Sequence, residues 1–142
     1  MTAVIDTCIV IDVLQHREPF FKNSFGVFLA VSEKRCRGVL TAKSIMDIHY
    51  IIRRSLHDEQ QTRAAVNKLF ALFDVADTFS SDCHIAVSSQ TSDYEDAVMI
   101  ETAKRIGTDC IVTRNIRDYS KSSVPIFSPE EFLQRLKDEQ EE

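Results

Sequence analysis

Residues 3–7 of the chain are Ala-Val-Ile-Asp-Thr, and residues 110–115 are Cys-Ile-Val-Thr-Arg-Asn. Each stretch is a short apolar run followed at once by polar side chains. Such runs are typical of strands that are buried on both faces of a parallel sheet. Residues 38–41 (Gly-Val-Leu-Thr) and 124–127 (Val-Pro-Ile-Phe) predict two further strands. These four runs together predict a mostly parallel sheet.

Helical patterns separate these runs. The capping-box sequence Ser92-Asp93-Tyr94-Glu95 predicts a helix that starts there and ends at Gly107. Ser128 and the following proline predict the start of a last helix. The other elements expected from apolar spacing are helices at 9–14, 20–31, 44–56, 58–73 and 83–87 and a short strand within 75–79. Alternating strands and helices indicate an α/β fold.

Length and composition predict a single domain. The chain has 142 residues, 22 acidic against 17 basic side chains, and a net charge of −5. We expect the domain to cover residues 1–135 and the acidic segment 136–142 to be a frayed tail. Three glycines cannot form a glycine-rich nucleotide loop, and no apolar run approaches the roughly 18 residues that span a membrane. Four cysteines without a C-x-x-C pair are expected to be reduced thiols, which fits a cytoplasmic protein.

Carboxylates follow the predicted strands. Asp6 comes directly after the first apolar run, and Asp118 comes shortly after residues 110–112. Asp47 lies in the first turns of the helix after the second strand, and Asp93 and Asp96 open the helix that leads to residue 107. Ligands of open parallel sheets bind outside the carboxyl ends of the strands, so these side chains are placed to converge.

Converging carboxylates repel one another unless a cation lies between them. Oxygen ligands without His or Cys suit Mg²⁺ or Mn²⁺, and such ions commonly serve phosphoryl chemistry. The pattern therefore favours phosphodiester hydrolysis. A phosphatase with an Asp-x-Asp pair does not fit, because Cys8 stands where the second Asp would be. Taken singly, each carboxylate also fits an ordinary role as a turn residue, helix cap or solvated charge.

Four segments resemble the PIN-domain family. They are residues 6–14 (DTCIVIDVL), 92–97 (SDYEDA), 111–119 (IVTRNIRDY) and 124–133 (VPIFSPEEFL), in the family's order along nearly the whole chain. The resemblance implies a three-layer α/β/α sandwich and a ribonuclease that depends on Mg²⁺ or Mn²⁺. It further implies a homodimer and, most often, a VapC-like toxin of a bacterial toxin–antitoxin pair with a cognate antitoxin.

The resemblance also implies roles for individual residues. Asp6 would be the central metal ligand and Asp96 its partner, with Asp93 as an extra ligand. Asp118 would complete the acidic set, and Asp47 occupies a helix position that is often Glu in these toxins. The polar supports of this site would be Thr7, Thr113 and Asn115, the last of which stands where many relatives have Asp.

An acidic RNA-binding protein needs local positive charge. The candidate RNA contacts are Arg53, Arg54, Arg114, Arg117 and Lys121. The apolar stretches 20–31 and 45–56 are candidate antitoxin surfaces, although both also fit core helices. Two alternatives remain open. One is a catalytically silent PIN-like module that binds RNA or protein. The other is a nuclease acting on DNA ends or flaps, which is less favoured because the expected helical arch is missing.

Overall fold

The chain alternates between short strands and helices in a computed structural model that describes residues 1–142. The strands are β1 (Thr2–Ile5), β2 (Arg37–Thr41), β3 (Asp74–Ala76), β4 (Cys110–Val112) and β5 (Ile126–Phe127). The helices are α1 (Thr7–Leu14), α2 (Phe21–Ser32), α3 (Ala42–Leu56), α4 (Glu59–Leu72), α5 (Ser80–Ala86), α6 (Tyr94–Ile106) and α7 (Pro129–Glu141). A 3-10 helix (Ile116–Tyr119) connects β4 to the last strand.

The five strands form one sheet in the order β3-β2-β1-β4-β5, and every neighbouring pair is parallel. Val4 of the central strand pairs with Val39 on one side and with Ile111 on the other. The chain first builds the sheet outward from β1 through β2 and β3, and later returns to the opposite side at β4. The order of the strands thus reverses between β1 and β4, which is where open parallel sheets bind their ligands.

Strand alternation divides the core into two layers. Ala3 and Ile5 face a larger cluster that contains side chains from α1, α2, α3, α4 and α7. Val4 and Ile111 face the opposite side, where they pack with Met99 of α6 and other side chains. Helices therefore cover both faces of a parallel sheet, and the predicted α/β/α sandwich is confirmed.

The helix ends follow the local sequence signals, with one correction. Ser128 is the predicted N-cap of α7 and forms a capping box with Glu131, and Gly107 ends α6 at a φ of +69°. The start predicted at Ser92 is wrong, because α6 begins at Tyr94 with Asp93 as its N-cap. The Asp93 carboxylate accepts a hydrogen bond from a backbone N–H of the first turn and so takes the capping role.

The last helix runs through most of the segment that the sequence predicts to be a frayed tail. α7 continues to Glu141, and Leu136 is only 2% exposed within the larger core cluster. Leu136 follows Phe132 by four residues, so both side chains lie on one face of the helix and pack into the core. The ordered structure therefore extends past residue 135.

All four cysteines are free thiols. Cys36 and Cys110 are buried, whereas Cys8 and Cys83 are partly exposed. None of the helices combines the length and apolar character needed to span a bilayer.

Candidate active site

Asp6 lies at the carboxyl end of the central strand. Its backbone N–H donates to the carbonyl of Val112 over 2.9 Å, so the pairing of β1 with β4 continues up to the site. Asp6 is the N-cap of α1, yet its side chain makes no capping hydrogen bond. The carboxylate instead accepts a hydrogen bond of 2.7 Å from the hydroxyl of Thr113, the residue that follows β4. The strand end thus presents Asp6 to the cleft rather than to its own helix.

Burial dominates the electrostatics of Asp6. The residue is only 7% exposed, and the loss of hydration raises the pKa of its carboxyl above the usual value. Hydrogen bonds from Thr113 and from the thiol of Cys8, whose Sγ lies 3.5 Å away, act in the opposite direction. Burial is the larger effect, so a charged Asp6 is costly unless a cation compensates it.

Asp96 is the second carboxylate of the site and lies in the first turn of α6. Tyr119, which is 1% exposed, donates its hydroxyl to Asp96 Oδ1 over 3.0 Å. Burial, together with the negative charges of Asp93, Asp6 and Asp118, raises the pKa of Asp96 to about 6. The bond from Tyr119 partly offsets these effects. The negative charge of Asp6 therefore disfavours the ionisation of Asp96.

Both carboxylates open into one cleft of about 350 Å³ between α3 and α6. The cleft is also lined by Asp47, Glu95, Lys43 and four other residues of the two helices, together with Thr7. The ammonium of Lys43 forms an ion pair with Asp47, one turn further along α3, and a second pair of 2.9 Å with Glu95 of α6. The inner part of the cleft therefore holds Asp6 and Asp96, and the outer part holds a lysine between two carboxylates.

Hydroxyl groups support the cleft where β1 and β2 end. Thr7 donates to Ser44 Oγ over 3.1 Å, and Thr41 donates to the same oxygen over 3.0 Å. The backbone N–H of Ser44 in turn donates to Thr41 Oγ1, which caps α3. These bonds fix the first turn of α3 against α1. Thr7 and Thr113 both lie at the predicted site as polar supports.

Asp93 and Asp118 lie outside the cleft lining. Asp93 is exposed and caps α6, and Asp118 is exposed on the 3-10 helix. The negative charges of both residues raise the pKa of Asp96. Asn115 is exposed, and its backbone N–H donates to Thr113 Oγ1 over 3.0 Å, so it supports the threonine through the main chain.

Arg114 makes a buried ion pair that sequence did not indicate. Its Nε and Nη2 lie 2.6 and 3.0 Å from the two carboxylate oxygens of Asp12, which is fully buried. Ser24 donates to the same carboxylate over 3.0 Å, and the guanidinium lies 3.8 Å above the ring of Phe20. Contact of Arg114 with RNA stays a prediction. The ion pair with Asp12 gives the residue a structural role as well.

The other predicted RNA contacts lie on the surface. Arg53 pairs with Glu59 over 3.3 Å at the end of α3. Arg54 donates to the hydroxyl of Tyr50, whose ring lines the cleft and is 61% exposed. Arg117 is exposed on the 3-10 helix beside Asp118. Among these surface arginines predicted to contact RNA, Arg54 is the one that bonds to a residue of the cleft lining.

Three residues of the site were missed by sequence reasoning. Glu95 was assigned to helix capping, and Lys43 carried no recognisable motif. The spacing of four between Lys43 and Asp47 was the available signal for their ion pair. Tyr119 is the last residue of the 111–119 segment and carried no expected role. Its contact with Asp96 joins the 3-10 helix to α6, and local sequence carries no signal for such a contact.

The donor set suits a hard cation held by few protein ligands. No group of three or more His, Cys, Asp or Glu side chains forms a preformed metal cage. Asp6 and Asp96 nevertheless offer carboxylate oxygens to one cleft, and burial raises the pKa of each, so their charged forms lack full compensation. Mg²⁺ is commonly bound by one or two carboxylates together with waters and substrate phosphates. The residues present therefore fit such an ion.

Comparison with known protein families shows to which family the chain belongs. A family model described as PIN domain matches residues 2–117. The chain belongs to the PIN-domain family. This match begins at β1 and ends within the 3-10 helix, so it contains Asp6, Asp47, Asp93 and Asp96 but not Asp118. No curated protein matches the chain in sequence.

Solved structures share the PIN-domain fold at low sequence identity. A toxin–antitoxin complex from Klebsiella pneumoniae is 21% identical with a TM-score of 0.64, over 89% of this chain and 97% of that chain. VapBC2 from Rickettsia felis, bound to a promoter DNA fragment, is 14% identical with a TM-score of 0.64, over 90% and 98%. VapC20 of Mycobacterium tuberculosis, a toxin that cleaves the sarcin–ricin loop, is 8% identical with a TM-score of 0.61, over 77% and 86%.

Proposed function

We propose that this PIN-domain protein is a ribonuclease that depends on Mg²⁺ or Mn²⁺ and acts as the toxin of a type II toxin–antitoxin pair. The observation that carries the proposal is the pairing of Asp6 and Asp96 in one cleft at the switch point of the sheet, with the pKa of each raised. A buried and a half-buried carboxylate that line one cleft favour a bound cation, because burial disfavours the charged form of each. The location matches the place where parallel sheets bind ligands.

Asp6 and Asp96 would hold the ion, and Asp93 and Asp118 would add negative potential around it, whereas Lys43 compensates the charge of Asp47. A bound divalent ion supplies a water of lowered pKa and neutralises charge on the phosphate oxygens. Thr113 keeps the Asp6 carboxylate in place through its hydrogen bond, and Tyr119 does the same for Asp96. Thr7 and Ser44 hold the cleft wall, so the carboxylates stay in position when a substrate approaches.

RNA is the favoured substrate because the cleft carries an aromatic residue beside positive charge. Single-stranded RNA is bound by stacking of unpaired bases on aromatic rings and by contacts of Arg with phosphate. Tyr50 is 61% exposed at the cleft, and Arg54 lies 5.6 Å from the centre of its ring. Arg53, Arg114 and Arg117 would extend the contact with the backbone. The named activity of VapC20 on the sarcin–ricin loop supports the same class of substrate.

The toxin assignment draws on the neighbours and on exposed apolar side chains. The Klebsiella and Rickettsia structures are toxin–antitoxin complexes with the same fold. Both helices proposed as antitoxin surfaces bury one face and also leave large apolar side chains exposed. These are Phe25 and Leu29 of α2 and Met46, Tyr50 and Leu56 of α3. We propose that such side chains contact the antitoxin and a second copy of the chain in a homodimer.

Cleavage of RNA by the purified protein tests the nuclease. Wild type, Asp6→Asn and Asp96→Asn would be assayed with Mg²⁺ or Mn²⁺, and Asp77→Asn would serve as the control because Asp77 is exposed and does not line the cleft. We expect metal-dependent cleavage by wild type and the control only, with unchanged circular dichroism in all four. Equal cleavage by all four proteins would point to a contaminant and would contradict the proposal.

Expression in a bacterium tests the toxin. Wild type should arrest growth, Asp6→Asn should not, and co-expression of a small protein encoded beside this chain should restore growth. Absence of arrest with a purified protein that cleaves RNA would leave a nuclease without a toxin role.

A silent PIN-domain module is the second candidate. The absence of a preformed metal cage and the pairing of Asp47 with Lys43 favour it. Calorimetric titration with Mn²⁺ separates the two, since the silent module would bind no ion and the nuclease would bind at least one.

A further inference from the structure

Lys43 occupies an unusual position for a lysine. It is the second residue of α3, its side chain is 36% exposed, and it is the single basic residue that lines the acidic cleft. Its ammonium contacts Asp47 on the same helix and Glu95 on α6. One side chain thus bridges the two helices that form the cleft walls.

Stability alone does not account for this arrangement. Ion pairs between partly exposed side chains contribute about 0–1 kcal/mol, and Glu95 is 70% exposed. The main effect of these two ion pairs is to reduce the negative charge of the cleft lining. Four carboxylates line it, and Lys43 compensates the outer two, Asp47 and Glu95, while Asp6 and Asp96 have no such partner.

The position of the ammonium is one that a metal ion could take. An oxygen of Asp47 and an oxygen of Glu95 both lie within hydrogen-bonding distance of the same Nζ atom. A cation placed there instead of Lys43 would be reached by both carboxylates. Carboxylate oxygens are the ligands that Mg²⁺ and Mn²⁺ prefer.

We propose that Lys43 is a tethered counter-ion that occupies the outer cation position of the cleft and thereby restricts the protein to one divalent ion, held by Asp6 and Asp96. This inference rests on the proposed function, because it assumes that the inner carboxylates bind the ion. Lys43 is a positioning residue in this scheme. It holds Asp47 and Glu95 in an ion-paired state and sets the number of metal ions without touching the reacting atoms.

The number of bound ions tests the role of Lys43 directly. Isothermal titration with Mn²⁺ alone, at pH 8 and without RNA, would compare the full-length wild type with Lys43→Met and Lys43→Arg. We expect one ion for wild type and for Lys43→Arg, which keeps the charge. Lys43→Met frees Asp47 and Glu95, so it should bind two ions. Adding Glu95→Gln to Lys43→Met should return the number to one.

A matched control removes a lysine from an ion pair elsewhere. Lys104 pairs with Glu101 over 3.5 Å on α6, and Lys104→Met should leave one bound ion. Circular dichroism would show that each variant is folded, and Lys43→Gln would replace any Lys43→Met protein that is not.

Two results would overturn the inference in different ways. One ion bound by both wild type and Lys43→Met, or two bound by wild type, would exclude the role of Lys43 and leave the metal-dependent nuclease intact. Binding of no ion by any variant would overturn the proposed function together with this inference.

Discussion

The hydroxyl of Tyr119 and the carboxylate of Asp96 are joined by a hydrogen bond of 3.0 Å that links the 3-10 helix to α6. This bond lowers the pKa of Asp96 against the larger effect of burial. Tyr119→Phe removes it, so the pKa of Asp96 should rise further and protons should compete better with a metal ion. We expect Mn²⁺ affinity to fall about 2- to 10-fold at pH 6 and to change little at pH 8.

Calorimetry at both pH values checks this expectation. Tyr94→Phe is the control, because the Tyr94 hydroxyl donates to the carbonyl of Cys83 rather than to a cleft residue. An equal loss of affinity at pH 6 and pH 8 would show that Tyr119 acts on packing and not on the protonation of Asp96.

Asp96 should make the stability of the metal-free protein depend on pH. Its pKa is about 6 in the fold against an ordinary value of 3.8, so folding favours the protonated form. The protonated Asp96 therefore contributes to the free energy of unfolding below about pH 4, and this contribution is lost as the pH rises through 6. Asp96→Asn stays neutral and can still accept the bond from Tyr119. At pH 8 it should be more stable than wild type by about 1 kcal/mol, allowing for partial exposure.

Thermal unfolding in EDTA measures this difference. A gain of about 1 kcal/mol corresponds to roughly 2–4 °C in Tm for a chain of this size. The gain should vanish at pH 4, where wild-type Asp96 is also neutral. Mn²⁺ at pH 8 should stabilise wild type and leave Asp96→Asn nearly unchanged. A lower Tm for Asp96→Asn than for wild type at pH 8 would contradict the expected destabilising effect of the charged Asp96 side chain.

Arg114→Ala should destabilise the fold strongly. The substitution leaves the fully buried Asp12 carboxylate with Ser24 as its remaining side-chain partner. Loss of one member of a buried ion pair typically costs about 3–5 kcal/mol. Urea unfolding would measure this cost, with Arg117→Ala as the exposed control that should change stability by less than about 0.5 kcal/mol. If Arg114→Ala were as stable as the control but bound RNA more weakly, the residue would serve RNA rather than the fold.

Leu136→Ala tests whether the end of α7 belongs to the core. Leu136 is 2% exposed, and truncation of a buried Leu to Ala costs about 2–5 kcal/mol. Lys137→Ala, one residue further and exposed, is the matched control. Equal urea midpoints for the two variants would mean that residues 136–142 are a frayed tail after all.

The architecture was predictable because its signals are local. Three-residue apolar runs such as Cys110-Ile111-Val112 predicted the strands, and the predicted helices are all present with ends shifted by a few residues. Ser128 starts α7 because its side chain caps the helix. Gly107 ends α6 because a residue without a side chain readily adopts a positive φ. The helical continuation through residue 136 was not expected, because the many charges of the segment outweighed one leucine at a spacing of four from Phe132.

The α/β fold and the carboxylates at the strand ends could be predicted from the residues alone, because strand burial, helix capping and the polarity of parallel sheets follow from neighbouring residues. The contacts between distant side chains depend instead on the folded arrangement of the layers. Tyr119 reaches Asp96 across 23 positions, Lys43 reaches Glu95 on another helix, and Arg114 turns to Asp12 across 102 positions. Such contacts depend on how the layers pack, and packing distances between elements are not encoded in any local pattern.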